Sequence, residues 1–234
     1  LESVRWFDDV VVVDSGSSDR TIEIAKRYTE RVTTRQWEGY GSQKNYATGL
    51  ASHDWVLSID ADERVSKELA EEIQALMESV PVLQGYRIPR TTRYLGRWIR
   101  STDWYPDRQL RLYDRRVAQW NDRYVHESVR VQGRVGSLRR ELYHHSYKGI
   151  GEHLSRMNHY TTLAAAQMMA DGRRTNWLDL IAYPPLVFFR NYIWRRGFSD
   201  YLPGLIVSLM NTYYVLCKYA KLWEQQTKSK RTSG

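Results

Sequence analysis

Two short apolar runs in this chain each stop at an aspartate, and this limits the folds open to it more than any other feature. Residues 10–13 are four consecutive valines that lead into Asp14-Ser15-Gly16-Ser17-Ser18-Asp19. Residues 55–59, Trp-Val-Leu-Ser-Ile, lead into Asp60-Ala61-Asp62. Short apolar runs bounded by turn signals read as buried strands. After the first come Ile22, Ala25 and Tyr28 at helical spacing, with Ser18 or Asp19 placed to cap the helix. A strand, a Gly/Ser turn and a capped helix open a βαβ unit. A short strand is predicted over 31–34 and a helix over 42–50. A further helix over 66–77 carries Leu69, Ile73, Leu76 and Met77 on one face. Strands alternating with helices predict an α/β fold with a parallel, doubly wound sheet. Ligands bind at the carboxyl ends of such strands, so Asp14 and Asp60 are expected in one crevice.

The pattern changes after Pro81. Strands are predicted over 85–89, 108–113, 124–131 and 138–144, mixed in direction and antiparallel at the edge. A helix follows over 151–172. The tail, 177–223, has two apolar segments, 180–189 broken by Pro184-Pro185 and 202–217 interrupted by Asn211. Both fall short of the roughly 18–20 residues a spanning helix needs. Arg190, Arg195, Arg196, Lys218 and Lys221, with Trp177, Trp194 and Trp223, bracket them as interfacial anchors would. The expected division is 1–148 for the α/β domain and 149–234 for a helical region lying on a membrane surface. Two ordinary packed helices are the alternative for this tail.

Composition sharpens the choice of partner. The net charge of +8 favours something acidic: nucleic acid, anionic lipid or a phosphorylated substrate. The chain has 9 Trp and 17 Tyr against 4 Phe, a bias toward rings with a polar edge that suits sugar-binding surfaces and membrane interfaces. The single cysteine, Cys217, excludes an internal disulfide and a cysteine-based zinc site, and fits a reducing compartment. Residues 1–7 read as the end of a helix running into a strand, so an upstream piece is expected.

Asp60-Ala61-Asp62 sets two carboxylates two residues apart on a turn. That suits Mg2+ or Mn2+, which takes a few carboxylate oxygens and completes its shell with phosphate and water. A solvated turn is the ordinary alternative for such a triplet, but its position after a buried run, with a second strand-end aspartate, favours a site. The EF-hand ligand series, a P-loop and the G-x-G-x-x-G fingerprint are all missing.

Three ordered motifs carry a more specific resemblance: Val12-Val13-Asp14-Ser15-Gly16-Ser17-Ser18-Asp19-Arg20-Thr21, Gln43-Lys44-Asn45-Tyr46-Ala47 and Leu57-Ser58-Ile59-Asp60-Ala61-Asp62-Glu63. Together they resemble the family-2 inverting glycosyltransferases. Trp104-Tyr105-Pro106-Asp107-Arg108-Gln109-Leu110-Arg111-Leu112, Val125-His126-Glu127 and Lys218-Tyr219-Ala220-Lys221-Leu222-Trp223-Glu224 resemble a bacterial subgroup that includes lipopolysaccharide core β-1,4-glucosyltransferases. The resemblance implies a GT-A fold: a Rossmann-like mixed sheet flanked by helices, here with a C-terminal helical membrane-associated extension. It also implies a first strand upstream of Leu1.

The implied reaction moves a hexose, glucose by the subgroup, from a UDP-sugar to a lipid-linked saccharide such as lipopolysaccharide core. Its setting is the cytoplasmic face of the bacterial inner membrane. Asp14 would meet the base or ribose, and Lys44 the base or a phosphate, unless it is a solvated helix lysine. Asp60 would face ribose and metal, and Asp62 would be the more direct metal ligand. Inversion needs a base to take the acceptor hydroxyl's proton. Glu127 is the first candidate and Asp107 the second, with structural ion pairing the alternative for each. His126 is either a third metal ligand or a core histidine.

The stretch 87–111 is rich in Arg and Trp. Indoles stack on sugars and arginines clamp phosphates, so Trp104, Arg108 and Arg111 are acceptor candidates. A solvated basic surface is the alternative. The expected partners are thus the nucleotide-sugar donor, the lipid-linked acceptor and an anionic membrane surface. No recognised nucleic-acid motif is present. The competing non-enzymatic readings are a nucleic-acid-binding protein and a membrane-bound interaction module.

Overall fold

A computed structural model describes residues 1–121 and 128–232. It divides into two compact units, Leu1–Arg90 with Asp107–His144, and Thr91–Pro106 with His145–Gly234. Residues 91–106 and 145–148, expected in the first domain, group with the C-terminal unit. Glu127 and His126 lie outside the described residues.

The first unit begins with β1 (Val12–Asp14), α1 (Thr21–Ala25) and β2 (Val32–Thr34), in which β1 and β2 pair in parallel, Val12 opposite Val32. Arg20 is the cap residue of α1, while the Asp19 carboxylate accepts from the Thr21 amide at 3.0 Å and hydroxyl at 2.6 Å. The chain continues through α2 (Tyr40–Leu50), β3 (Trp55–Leu57), β4 (Glu63–Val65), α3 (Lys67–Glu78) and β5 (Gly85–Tyr94). After β6 (Arg97–Ile99) come β7 (Asp107–Asp114), β8 (Ala118–Trp120), β9 (Val129–Val131), β10 (Val135–Ser137) and β11 (Leu142–His144).

The strand order is β3-β7-β5-β11-β4, with β10 parallel to β5. The pairs β3–β7, β5–β7 and β4–β11 are antiparallel, and β8–β9 form a separate antiparallel pair. The parallel expectation thus holds for β1–β2 and fails for β3. An apolar run reports burial on both faces but carries no information about the direction of its neighbour.

The core of this unit forms where α3 covers the sheet. Leu69 and Ile73 are fully buried with Val65, Ile88, Leu112 and Leu142. Burial of each such aliphatic side chain contributes about 1.5–3 kcal/mol. The Ser66 hydroxyl caps α3, accepting from the Leu69 amide at 3.1 Å.

A bulge in β7 turns one arginine inward. Tyr86 lies opposite Leu112 and Arg87 opposite Leu110, so Arg111 is an extra residue with no cross-strand partner on β5. The bulge breaks the simple alternation. Leu110 joins Tyr113 in one cluster with Trp120 and Val129, Leu112 faces the α3 core, and the Arg111 side chain is buried.

In the second unit, Thr92–Tyr94 of β5 pair with β6. The remainder is helical: α4 (Ile150–Ala170), α5 (Trp177–Ile181), α6 (Tyr183–Phe189), a π-turn over Arg190–Trp194, a 3-10 turn over Gly197–Asp200 and α7 (Tyr201–Thr232). The apolar segment 180–189 is divided at Ala182, where α5 ends and α6 begins, just ahead of Pro184 and Pro185. The two prolines occupy the first turn of α6, where missing amide hydrogens cost nothing. Asn191 is fully buried and bonds to Val187, Asp103 and Asn211. Gly204 allows the closest approach, since a Cβ there would lie 1.9 Å from the Gly197 carbonyl oxygen. No helix among the described residues is long and apolar enough to cross a membrane.

Candidate active site

Helix α2 explains why Gln43, Lys44 and Asn45 stand in sequence. Successive helix residues point about 100° apart, so three neighbours can reach three elements. Gln43 donates to the Ser15 hydroxyl at 3.0 Å, beside Asp14. Lys44 Nζ lies 2.9 Å from Asp60 Oδ1 and 4.5 Å from the centroid of the Trp120 ring. Asn45 brackets the Trp120 backbone, donating to its carbonyl at 3.0 Å and accepting from its amide at 2.9 Å. One helix thereby links the Asp14 loop to the Asp60 turn.

Asp14 ends β1 and is buried. Its carboxylate accepts from the Ser17 hydroxyl at 2.5 Å and from the amides of Gly16 and Ser17 at 2.7 Å each. The Ser17 hydroxyl contributes most to holding the Asp14 carboxyl below the usual range, against the opposing effect of burial. Asp14 therefore shapes its own loop. Gln43 Oε1, also buried, has no hydrogen-bond partner among the described residues.

Asp60 sits in a network of alternating charge. Arg111 Nη2 lies 2.6 Å from Asp60 Oδ2 and 2.7 Å from Glu63 Oε1. Arg90 Nη1 lies 2.9 Å from Glu63 Oε1, and its Nη2 lies 2.6 Å from Asp107 Oδ2. Glu63 Oε2 also accepts from the Asp60 amide at 2.8 Å, which closes the turn. Three cations, Lys44, Arg90 and Arg111, thus face three carboxylates, Asp60, Glu63 and Asp107. Burial opposes ionisation of Asp60, but Arg111 and then Lys44 overcome it and hold the carboxyl far below its ordinary range.

Asp62 differs. Its side chain is 41% exposed and meets His144, whose Nε2 lies 3.3 Å from Oδ2. Burial raises its proton affinity, and the His144 hydrogen bond reverses this, leaving the carboxyl below its usual range. The contact follows from sheet register, because β4 and β11 place Glu63 opposite His144. Nothing in the separation of 62 and 144 along the chain signals it.

No cluster of three or more metal-binding side chains occurs among the described residues. Asp62 and His144 still offer a carboxylate oxygen and an imidazole. A small divalent cation that draws its remaining ligands from phosphate and water needs little more from the protein. Asp60 is less suited, since both its oxygens already meet cations.

The other expected site residues are dispersed. Asp107 joins the network through Arg90, and its Oδ1 accepts from Gln109 at 2.6 Å. Arg108 is exposed on β7. Arg111, expected to meet the acceptor, is buried at the bulge and ion-paired with Asp60 and Glu63. Trp104 belongs to the second unit, donates to Asn211 at 3.2 Å and stacks on Tyr147. Glu63, Arg90 and His144 were not expected at the site. The signals available were the position of Glu63 beside the Asp-x-Asp triplet and that of Arg90 within the arginine-rich stretch 87–111.

The glycosyl transferase family 2 model matches residues 2–138. The lipopolysaccharide core biosynthesis glycosyltransferase LpsC of Rhizobium meliloti is 31% identical, over 96% of this chain and 86% of its own length. An uncharacterised glycosyltransferase of Rickettsia conorii is 29% identical, over 95% of this chain and 83% of its own. The crystal structure of Staphylococcus aureus TarS residues 1–349 superposes with a TM-score of 0.43 at 15% identity, covering 100% of this chain and 86% of that one.

Proposed function

The chain belongs to glycosyl transferase family 2, and from that premise we propose that it transfers a hexose, glucose in our reading, from a UDP-sugar to a lipid-linked saccharide with inversion. One observation carries the reading: the Asp-x-Asp turn divides its labour. Asp60 is neutralised by Lys44 and Arg111, while Asp62 faces outward with an imidazole behind it.

In this reading Asp62 and His144 hold Mg2+ or Mn2+ against the donor diphosphate. The ion, when bound, neutralises charge that builds on the leaving group. Lys44 lies next to the diphosphate and fixes Asp60, which faces the ribose. The Asp14 loop receives the base, with Gln43 holding the Ser15 hydroxyl beside it. Arg111 and Glu63 keep the turn in shape.

The acceptor hydroxyl attacks the anomeric carbon as the bond to the diphosphate breaks, and a carboxylate takes the hydroxyl proton. We assign that base to Glu127. Asp107 ranks second because Arg90 and Gln109 already occupy its oxygens. Trp104 and Arg108 are kept as acceptor contacts. A lipid-linked acceptor and the basic tail support a peripheral position on the cytoplasmic face of the inner membrane as part of this reading.

The test is single-turnover transfer from UDP-glucose with Mn2+ present. Glu127→Gln should slow transfer by about 10²–10⁴-fold while leaving UDP affinity unchanged. Transfer at the wild-type rate by Glu127→Gln would remove Glu127 as the base, and no UDP binding by the wild-type protein would remove the reading altogether.

A further inference from the structure

Helix α6 and the π-turn after it carry apolar side chains on their outward as well as their inward side. Pro184, Val187 and Asn191 face inward and are buried. Leu186, Phe189 and Ile193 share the opposite side at the same spacing and are 62%, 60% and 55% exposed. Trp194 beside them is 86% exposed, and Trp177 and Ile181 on α5 are each 66% exposed. A helix on a protein surface ordinarily shows a polar outer side. An exposed apolar strip of this length marks a docking surface.

The charge around the strip identifies its occupant. Residues 172–208 contain five arginines and two aspartates. Asp200 is buried, where it accepts from Ser101 and the Arg100 amide, and half-buried Asp179 closes the capping box of α5. Within this span the aspartates are buried or half-buried, with exposed Asp171 just before it, while Arg173, Arg174, Arg190, Arg195 and Arg196 are exposed. Arg190 and Arg195 share a single carboxylate, that of Asp103. Tryptophan and arginine around an apolar strip match the headgroup boundary of an anionic bilayer, where rings and guanidinium groups sit at the polar level.

We propose that the outward side of α5, α6 and the π-turn is the membrane-docking surface, lying in the plane of an anionic bilayer with Leu186, Phe189, Ile193 and Trp194 inserted. This rests on the peripheral membrane placement proposed for the enzyme and specifies which residues perform it. It does not depend on the donor site.

The test is flotation of the full chain with vesicles of phosphatidylcholine, alone or mixed with phosphatidylglycerol, with no donor present. Wild type should float with the mixed vesicles and much less with the neutral ones. Phe189→Glu/Trp194→Glu should lose at least tenfold in partitioning, and Arg196→Gln about five-fold for the mixed vesicles alone. Both variants alter exposed side chains, and unchanged circular dichroism and UDP binding confirm that fold and donor site are intact. Equal flotation by wild type and Phe189→Glu/Trp194→Glu would overturn the proposal. So would absence of vesicle binding together with a dimer in sedimentation velocity that the same pair of substitutions dissociates, since a second copy would then cover this side.

Discussion

Asp60 and Asp62 stand two residues apart yet meet different partners, and substitutions should separate them. Asp62→Asn alters a half-exposed group beside one imidazole, so stability should change by less than about 1 kcal/mol in urea unfolding while metal-dependent UDP binding is lost. Arg111→Met should do the reverse first. It leaves the carboxylates of Asp60 and Glu63 without their shared buried cation, at a cost of about 3–5 kcal/mol by the same measurement. Lys44 and Asp60 were legible because they fall within ordered motifs. His144 was not, because only the pairing of β4 with β11 brings it to Asp62. The inward turn of Arg111 was hidden too: one extra residue in β7 reverses the side that alternation assigns.

Elements differ in how openly the sequence announces them. Helix α3 was readable from its spacing, and Ser66→Ala, which removes the cap found in the structure, should cost about 1 kcal/mol of stability with no effect on UDP binding. Strand β3 was readable as a strand, but its antiparallel neighbour β7 was not, since the two lie far apart along the chain and burial alone carries no direction.

In the helical unit, buried His153 meets the Tyr94 hydroxyl at 2.9 Å, and burial lowers its pKa from 6.5 to about 4. Between those values the unfolded chain binds the proton and the folded chain does not. Stability from this group is therefore complete above about 6.5 and declines as pH falls to about 4, by up to about 3 kcal/mol. His153→Gln should flatten that part of the pH dependence in urea titrations.

For the molecule as a whole, membership of the family was carried by three motifs within the first unit, and the structure explains their order. Helix α2 touches the Asp14 loop with one residue and the Asp60 turn with the next. The division into units was less legible. Residues 91–106 group with the second unit from mid-strand to Pro106, and the arginine- and tryptophan-rich stretch 87–111 that contains them overruns both boundaries. In the proposed mechanism the outward carboxylate of the Asp-x-Asp turn binds the donor through a divalent cation.

Calorimetric titration of UDP into the wild-type chain and Asp62→Asn, with Mn2+ and then with excess chelator, tests it most directly. Wild type should bind with Mn2+ and lose at least tenfold in affinity with chelator, and Asp62→Asn should resemble chelated wild type under both conditions. Equal affinity of Asp62→Asn and wild type in the presence of Mn2+ would contradict the account.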